Sequence, residues 1–284
     1  MLVNMTEMLQ EARRKKMAIA AINTPGFDIV RAVVRAAEEL DTPVILDHAS
    51  VHDVDLPVEL IGPFMVECAK KAKVPVCCNL DHGMTMQQVL RAMKAGFTSF
   101  MYDCSALPLE ENIRRVKELC EFVQPLGYSV EAEIGMMAGA NPGNVDAKDK
   151  RAFYTQPDVA ARFTEETKCD ALAVCIGTEH GFYKSEPDLD FDLLSGIRKA
   201  VRSETALVMH GSSGVSYEDL QRAITCGMSK INYYTYFSIA VAPKIRELID
   251  QNPTRTYYDA VCKKAYEVMV EEAKKVILCM RNGK

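Results

Sequence analysis

Residues 75–104 read PVCCNLDHGMTMQQVLRAMKAGFTSFMYDC and show the pattern that decides the fold. A short apolar run at 75–80 is followed by a segment whose apolar residues recur every three or four positions, and then by a second short apolar run at 98–102. The helical segment ends at Gly96, and glycine is the usual residue just past a helix C-terminus. This order is typical of two parallel strands joined by a crossover helix.

The same alternation continues along the whole chain of 284 residues. Strands are predicted at 17–22, 43–47, 75–80, 98–102, 129–133, 171–176, 206–210 and 229–233, and helix-like segments separate most of them. The segment after Pro243 is also predicted to be helical. Eight strands without a linker or a shift in composition predict an α/β fold, namely one closed (β/α)8 TIM barrel domain over residues 1–284 with a C-terminal helical extension.

An open, doubly wound sheet is the alternative that this alternation allows. Such a sheet often carries a GxGxxG fingerprint after its first strand. Here the first predicted strand is followed by NTPGFD at 23–28, which lacks that glycine spacing. The closed barrel is therefore favoured.

Composition and charge exclude several classes of protein. The chain is 48% hydrophobic and 26% charged, as in ordinary globular proteins, so a disordered or fibrous chain is excluded. Its net charge is −5, from 34 basic and 39 acidic residues. Because the basic residues form no long run, we expect neither a nucleic acid nor a membrane surface as a partner.

Cysteine usage and the N-terminus indicate the cellular compartment. The ten cysteines form no CxxC pair and mostly lie in apolar runs, which predicts buried, reduced thiols. Residues 1–16 place their basic residues after the apolar ones, the reverse of a secretory signal, and no segment approaches about 20 apolar residues. We therefore expect a cytoplasmic protein without a membrane span.

Polar residues gather at the ends of the predicted strands, where barrels of this type carry their active sites. These positions are Asn23, Asp47, His48, Asp81, His82, Asp103, Glu131, Glu133, His180, His210 and Asn232. All five histidines, at 48, 52, 82, 180 and 210, lie at or just beyond a predicted strand end. Three imidazoles at a barrel mouth suit a catalytic divalent metal with an open coordination position. The simpler alternative is that each of these histidines is a hydrogen-bonded residue of the barrel rim.

Small residues follow the last two predicted strands. HGSSG at 210–214 and INYYT at 231–235 place backbone N–H groups in the two loops that often bind phosphate in barrels. Gly211, Ser213 and Thr235 are candidate donors, and Lys184 adds a positive charge. An ordinary Gly-Ser turn would also explain HGSSG, so its position after the seventh strand is what favours a phosphate site.

Several motifs, in this order, carry a family resemblance: NLDHG at 79–83, SVEAEIG at 129–135, IGTEHGFYK at 176–184 and HGSSG at 210–214. With them the chain resembles, over nearly its whole length, the class II (zinc-dependent) ketose-bisphosphate aldolases, which include fructose- and tagatose-bisphosphate aldolases. The resemblance implies a TIM barrel, aldol cleavage of a small-molecule sugar phosphate and bound Zn²⁺. It also implies a nearby monovalent cation (Na⁺ or K⁺) and a homodimer or homotetramer.

The resemblance further assigns roles to individual residues. The three zinc ligands are matched by His82, His180 and His210, and carboxylates that hold the metal in an alternative position are matched by Asp103 and Glu133. Asp81 matches the catalytic aspartate. Positions around the 1-phosphate of the ketose are matched by Gly181, Lys184, Gly211, Ser213, Asn232 and Thr235. Additional site candidates are Asn23, Asp47 and His48.

The chemistry of aldol cleavage agrees with these roles. Breaking the C3–C4 bond leaves the enediolate of dihydroxyacetone phosphate, whose negative charge a zinc ion stabilises as a Lewis acid. Asp81 is expected to act as the general base on the C4 hydroxyl. Because neighbouring residues of a strand point to opposite sides, Asp81 and His82 can both enter the site only where the strand ends, and Gly83 is consistent with a bend there.

The sequence departs from the family pattern on the catalytic side. After the fifth strand, Asn141 and Pro142 stand where acidic residues are usual, and Asp146 and Asp149 are the nearest substitutes. The second strand ends in DHAS at 47–50 instead of Gln-x-Ser. That change predicts either a rim ion pair or hydrogen bond, or a substitute acid or base.

Two further departures fall on the aldehyde side. Val261 stands in place of an arginine that clamps phosphate on the aldehyde half in the family, and Arg255 is the nearest basic residue to compensate. Tyr233 and Tyr234 stand where smaller residues, or an aspartate, are usual, and their rings are expected to reshape the pocket.

These departures predict an aldolase whose aldehyde product is not the usual one, such as a sulfonated or unphosphorylated aldehyde. Cleavage of fructose or tagatose bisphosphate is the standard alternative. Two other functions stay open at this point. One is a catalytically weakened homologue that binds a sugar phosphate or supports another subunit. The other is a metal-dependent sugar-phosphate epimerase or isomerase, which would release no dihydroxyacetone phosphate.

Overall fold

The computed structural model describes residues 1–135, 150–179, 181–183 and 186–284. The strands in these residues are β1 Leu2–Val3, β2 Ile19–Asn23, β3 Val44–Ala49, β4 Val76–Gly83, β5 Ser99–Tyr102, β6 Ser129–Ile134, β7 Ala171–Val174, β8 Ala206–Met209 and β9 Met228–Tyr233. The α-helices are α1 Met5–Arg14, α2 Phe27–Glu39, α3 Val58–Lys71, α4 Met86–Ala95, α5 Leu109–Val123, α6 Pro157–Thr167, α7 Phe191–Ala200, α8 Tyr217–Thr225, α9 Thr235–Ile239, α10 Val241–Gln251 and α11 Tyr258–Arg281.

Strands β2 to β9 form a closed parallel barrel. Each strand pairs with the next one along the chain, and β9 pairs with β2 to complete the ring. The eight predicted strands coincide with β2 to β9 apart from small shifts at their ends. The predicted (β/α)8 TIM barrel is confirmed. The open sheet is wrong, because an open sheet would leave two edge strands unpaired on one side.

The C-terminal helical extension is also confirmed. Helix α11 packs on the outside of the barrel along α2 and α8, whereas α10 has no buried residue. None of the described helices is long and apolar enough to cross a membrane.

Four elements are not among the predicted strands and helices: β1, α1, α3 and α9. Strand β1 is only two residues long and pairs beside Val76 and Cys77 at the start of β4. Helix α3 contains Pro63, and a proline inside a helical pattern weakens the prediction of a helix.

Helix α1 closes the bottom of the barrel, the end opposite to the strand C-termini. Its buried face consists of Met5, Met8, Leu9 and Ala12, a spacing of three and four residues that could have predicted the helix. This face packs inside the barrel against the first inward-facing residues of the strands, among them Ile19, Ile45 and Cys77. The lower half of the barrel is therefore apolar, which leaves the upper half for polar side chains.

Replacing Leu9 by alanine is expected to lower the free energy of unfolding by about 2–5 kcal/mol, because it removes buried methyl groups and leaves a cavity. Leu9 is 1% exposed. Leu60 on α3 is 63% exposed, so Leu60→Ala is the matched control and is expected to change the free energy by about 0.5 kcal/mol or less. Denaturant unfolding of both variants measures the difference. Equal small effects would mean that α1 does not pack into the barrel.

Candidate active site

Strand β4 ends in a bulge that brings two adjacent side chains into the barrel mouth. His82 has a φ of 50°, a left-handed conformation that is uncommon for residues other than glycine. The pairing register between β4 and β5 shifts between Leu80 and Gly83, as a β-bulge requires. The expected bend is thus present, and it lies at His82 itself. Gly83 allows β4 and β5 to approach each other closely, since a Cβ at this position would lie 2.9 Å from the Met101 carbonyl oxygen.

Asp81 is buried at the centre of this mouth and is held by two amides. Asn23 Nδ2 donates to Asp81 Oδ2 at 2.9 Å, and Asn232 Nδ2 donates to Asp81 Oδ1 at 3.1 Å. Asn23 is oriented in turn, because its Oδ1 accepts the backbone N–H of Ala49 at 2.9 Å. The carboxylate of Asp81 therefore has a defined direction.

The charges around Asp81 favour its ionised form. Burial alone would raise the pKa of Asp81, but the imidazoles of His82 and His210 and the ammonium of Lys230 outweigh burial and hold that pKa well below its usual range. Asp81 Oδ1 lies 4.0 Å from His82 Nε2 and 3.9 Å from His210 Nδ1. An ionised, oriented carboxylate between two imidazoles can act as a general base.

Each of these imidazoles has a carboxylate partner on its other nitrogen. His82 Nδ1 lies 2.8 Å from Asp103 Oδ2, and His210 Nε2 lies 2.8 Å from Glu131 Oε1. When a neutral imidazole donates its N–H to a carboxylate, the lone pair of the second nitrogen is directed away from that carboxylate. Metal-binding histidines in proteins commonly show this arrangement.

The carboxylate partners shift the pKa values of the two rings differently. Burial would lower the pKa of His82, but Asp81 and Asp103 raise it to about 10. For His210 the effect of burial is the larger one, and it lowers the pKa although the hydrogen bond with Glu131 acts to raise it. The hydrogen bonds from His82 and Ser105 bring the pKa of Asp103 down to about 2 against the effect of burial. A metal ion that binds His82 must therefore displace a proton.

Glu133 completes a group of residues that could hold a metal ion. Burial and the neighbouring Asp103 raise the pKa of Glu133 to about 8, and its Oε2 has no hydrogen-bond partner in the described part of the chain. The donor atoms of His82, Asp103 and Glu133 lie within 4.8 Å of one another, as do those of Asp81, His82 and His210.

These two groups fit a zinc ion. Imidazole nitrogen and carboxylate oxygen are donors that Zn²⁺ prefers, and a cation would offset the cost of burying the Glu133 carboxylate. The groups share His82, so they describe two overlapping positions for the ion.

The loops after β7, β8 and β9 meet beside this centre. Gly211 has a φ of 65°, and a Cβ there would lie 2.5 Å from the Glu179 carbonyl oxygen, so glycine is required. The Tyr183 hydroxyl donates to the Gly211 carbonyl at 2.7 Å and accepts the Glu179 N–H at 2.9 Å. Ser213 Oγ accepts the N–H of Tyr234 at 3.3 Å. The predicted phosphate residues of HGSSG are thus brought next to Thr235 at the start of α9.

Several predicted site residues lie outside the described residues. They are the zinc-ligand candidate His180, the phosphate candidate Lys184, and Asn141, Pro142, Asp146 and Asp149 of the loop after β6.

Side-chain direction separates Asp47 and His48 from the reacting centre. Asp47 faces the barrel interior one layer below Asp81, where its Oδ1 accepts Asn79 Nδ2 at 2.9 Å. His48 is the next residue along β3 and therefore points outward, with its Nε2 3.5 Å from Asp53 Oδ1. Burial lowers the pKa of the His48 imidazole, so this contact is not an ion pair between charged groups, and the role of His48 stays a prediction.

The two tyrosines at the end of β9, Tyr233 and Tyr234, also lie in different surroundings. Tyr233 packs in the outer core between strands and helices, against Tyr217, because it follows the inward-facing Asn232. The expectation that Tyr233 reshapes the pocket is therefore wrong. Tyr234 stays at the rim, where its ring meets that of His52 edge to face with centroids 5.2 Å apart.

Lys230 is a functional candidate that the sequence analysis missed. It lies inside the barrel on β9 and is fully buried. A charged residue within the apolar strand SKINY was the available signal, because charged side chains are almost never fully buried unless they are paired.

The chain is similar to several known proteins. Residues 3–284 match the family model described as "Fructose-bisphosphate aldolase class-II". The protein YdjI of Escherichia coli strain K12 is 39% identical over 254 residues, which cover 88% of this chain and 89% of YdjI. The crystal structure titled as the YdjI aldolase from that organism has a TM-score of 0.86 at 35% identity and covers 99% of this chain and 97% of that one. A fructose-bisphosphate aldolase of Thermus caldophilus is 36% identical over 276 residues, with 89% of each chain covered.

Proposed function

This chain belongs to the class-II fructose-bisphosphate aldolase family and is an aldolase, and we propose that it is a zinc-dependent one that reversibly cleaves a ketose 1-phosphate or 1,6-bisphosphate. The products in this proposal are dihydroxyacetone phosphate and an aldehyde. The observation that carries it is the carboxylate of Asp81, held by Asn23 and Asn232 between the rings of His82 and His210.

In the proposed reaction, Asp81 takes the proton of the C4 hydroxyl as the C3–C4 bond breaks, and returns it when the reaction runs towards condensation. The amides of Asn23 and Asn232 keep both carboxylate oxygens aligned. The barrel floor of apolar residues under the polar layer limits the entry of water from below.

The proposed zinc ligands are His82, His210 and His180, with Asp103 and Glu133 available for an alternative position of the ion. Zinc bound there would supply a Lewis acid for the negative charge that develops on the substrate. The family is generally zinc-dependent, and the donor set of imidazoles with carboxylate partners supports the same metal here.

The 1-phosphate of the ketose is proposed to bind at Gly181, Gly211, Ser213 and Thr235, with Lys184 adding charge. Backbone N–H groups in glycine-rich loops suit phosphate oxygens. Asn232 is less available for binding the phosphate than the resemblance implies, because its side-chain amide already contacts Asp81 and Lys230.

The aldehyde half is proposed to lack a phosphate. Arg91 reaches the segment after β3, but its guanidinium is bound by Asp53 and Glu59, each at 2.5 Å. Val261 is uncharged, and the Arg255 side chain is exposed and makes no ion pair with a described residue. These contacts favour an unphosphorylated aldehyde, or one with a different polar group.

Fructose 1,6-bisphosphate is therefore expected to be cleaved with a kcat/KM at least about tenfold below that of fructose 1-phosphate, a difference of about 1.4 kcal/mol. The physical reason is that, with a neutral residue in place of the family arginine, the C6 phosphate would lose hydration without a cation to pair with it. Fructose without phosphate is expected to be the poorest substrate, since it also loses the 1-phosphate contacts. All three constants are measured with one preparation by coupled detection of dihydroxyacetone phosphate.

A tenfold preference for the bisphosphate would show that Arg255 or another cation replaces the family arginine, and the proposed aldehyde specificity would be wrong. Turnover of the sugar without release of dihydroxyacetone phosphate would instead indicate an epimerase or isomerase.

A further inference from the structure

A buried ammonium group lies directly beneath the proposed active site. Lys230 Nζ is 2.8 Å from Glu131 Oε2, 2.7 Å from Asn232 Oδ1 and 3.8 Å from Asp47 Oδ2. Lys230, Glu131 and Asp47 are each fully buried. Burial would lower the pKa of Lys230, but the three carboxylates of Asp47, Glu131 and Asp81 raise it above its usual value.

The first path from Lys230 leads to His210. Glu131 binds the ammonium through one carboxylate oxygen and His210 Nε2 through the other, at 2.8 Å in each case. An ion pair at this distance places a negative charge on Glu131. An ionised Glu131 can only accept a hydrogen bond. Nε2 of His210 must then carry the proton, and Nδ1 presents its lone pair on the side of Asp81.

The second path leads to Asp81. An ammonium has donors only, so the Asn232 amide must turn its oxygen towards Lys230. Its nitrogen then faces Asp81 Oδ1 at 3.1 Å. Without the ammonium the amide could rotate by half a turn, and its oxygen would face the ionised carboxylate.

We propose that Lys230 is a positioning residue that orients the metal ligand His210 through Glu131 and the general base Asp81 through Asn232. This inference rests on the proposed function, because it assigns Lys230 to the reaction proposed for that site. Lys230 thereby determines which nitrogen of His210 carries the proton and also the direction of the Asp81 carboxylate, although these two residues follow or belong to different strands.

The competing explanation is that Lys230 only balances the buried charge of Asp47 and Glu131. Two variants separate the explanations. Lys230→Met removes the ammonium and leaves an unbalanced buried carboxylate. At pH 9, above the pKa of Asp47 that burial raises to about 8, the double variant Asp47→Asn with Lys230→Met removes one charge of each sign, so the net charge of the interior stays the same while both paths are interrupted.

The experiment measures zinc affinity by competition with a chromophoric chelator at fixed pH, and then kcat and KM at saturating zinc. We expect both variants to bind zinc about 10–100-fold more weakly, the usual effect of removing an outer partner of a metal ligand. We also expect kcat to fall at least about tenfold while KM for the ketose 1-phosphate changes less than about threefold, because the phosphate loops are untouched. Far-UV circular dichroism checks that the barrel is folded.

Restoration of zinc affinity and kcat to wild-type values in the double variant would overturn the proposal in favour of charge balance. Should Lys230→Met variants not fold, Glu131→Gln tests the His210 path, since a neutral amide no longer requires the proton on Nε2. Unchanged zinc affinity in Glu131→Gln would overturn that path. The zinc measurement needs no turnover, so failure of the proposed aldolase substrates is distinguishable from failure of this inference.

Discussion

Replacing His210 by alanine is expected to abolish cleavage and to remove zinc from the protein, and treatment with EDTA is expected to inactivate the wild type. His210 is buried, and its ring belongs to one of the two groups of donors that could hold the metal. Without the ion, nothing in the proposed mechanism stabilises the negative charge left by C3–C4 cleavage. Zinc per chain is measured by elemental analysis, and activity by release of dihydroxyacetone phosphate before and after the metal is restored.

His52→Ala is the matched control for the metal content. Its ring packs on Tyr234 at the rim and belongs to neither group of donors, so about one zinc per chain should remain, as in a catalytic site. Full activity in metal-free protein would contradict the mechanism. It would require a lysine nucleophile, and Lys230 is unsuited to that role because neighbouring carboxylates keep it protonated.

Asp81→Ala is expected to retain zinc but to lose about two to four orders of magnitude in cleavage rate, the usual contribution of a general acid or base. The substitution removes the group that exchanges a proton with the C4 hydroxyl, while the carboxylate partners of His82 and His210 stay in place. Single-turnover rates with the preferred ketose phosphate measure the effect, and zinc content is determined on the same samples.

Asp81→Asn provides the matched control, because it keeps the shape of the side chain and removes only its basicity. A similar loss of rate in both variants would support the role of a base. A wild-type rate in Asp81→Ala would show that another group carries the proton. Loss of zinc would instead assign Asp81 a role in holding the metal, as its place in the group with His82 and His210 allows.

The barrel could be predicted because its signals are local. Short apolar runs alternate with segments of helical periodicity, and each run needs only its own residues to be recognised as a strand. The same local signal would have revealed α1 through Met5, Met8, Leu9 and Ala12. The placement of Asp81, His82 and His210 at one end of the barrel follows directly, since the C-terminal ends of parallel strands meet at the same edge.

The direction of individual side chains needed the tertiary structure. A strand has two faces, and the sequence alone does not show which of them becomes the interior once the ring has closed. Asp47 and His48 therefore looked equivalent, although one lies inside the barrel and the other outside. Tyr233 and Tyr234 differ for the same reason.

The sequence by itself determined the closed barrel, the family and the set of polar residues at the strand ends. Only the tertiary structure showed how these residues are oriented: Lys230 between Glu131 and Asn232, and Asp81 between Asn23 and Asn232. Asn232 and Asp81 are 151 positions apart in the chain, and no local pattern relates residues at that separation. Their contact exists because the ring closes: only β2 and β3 separate β9 from β4 around the barrel, and buried polar groups are stabilised when they pair with one another.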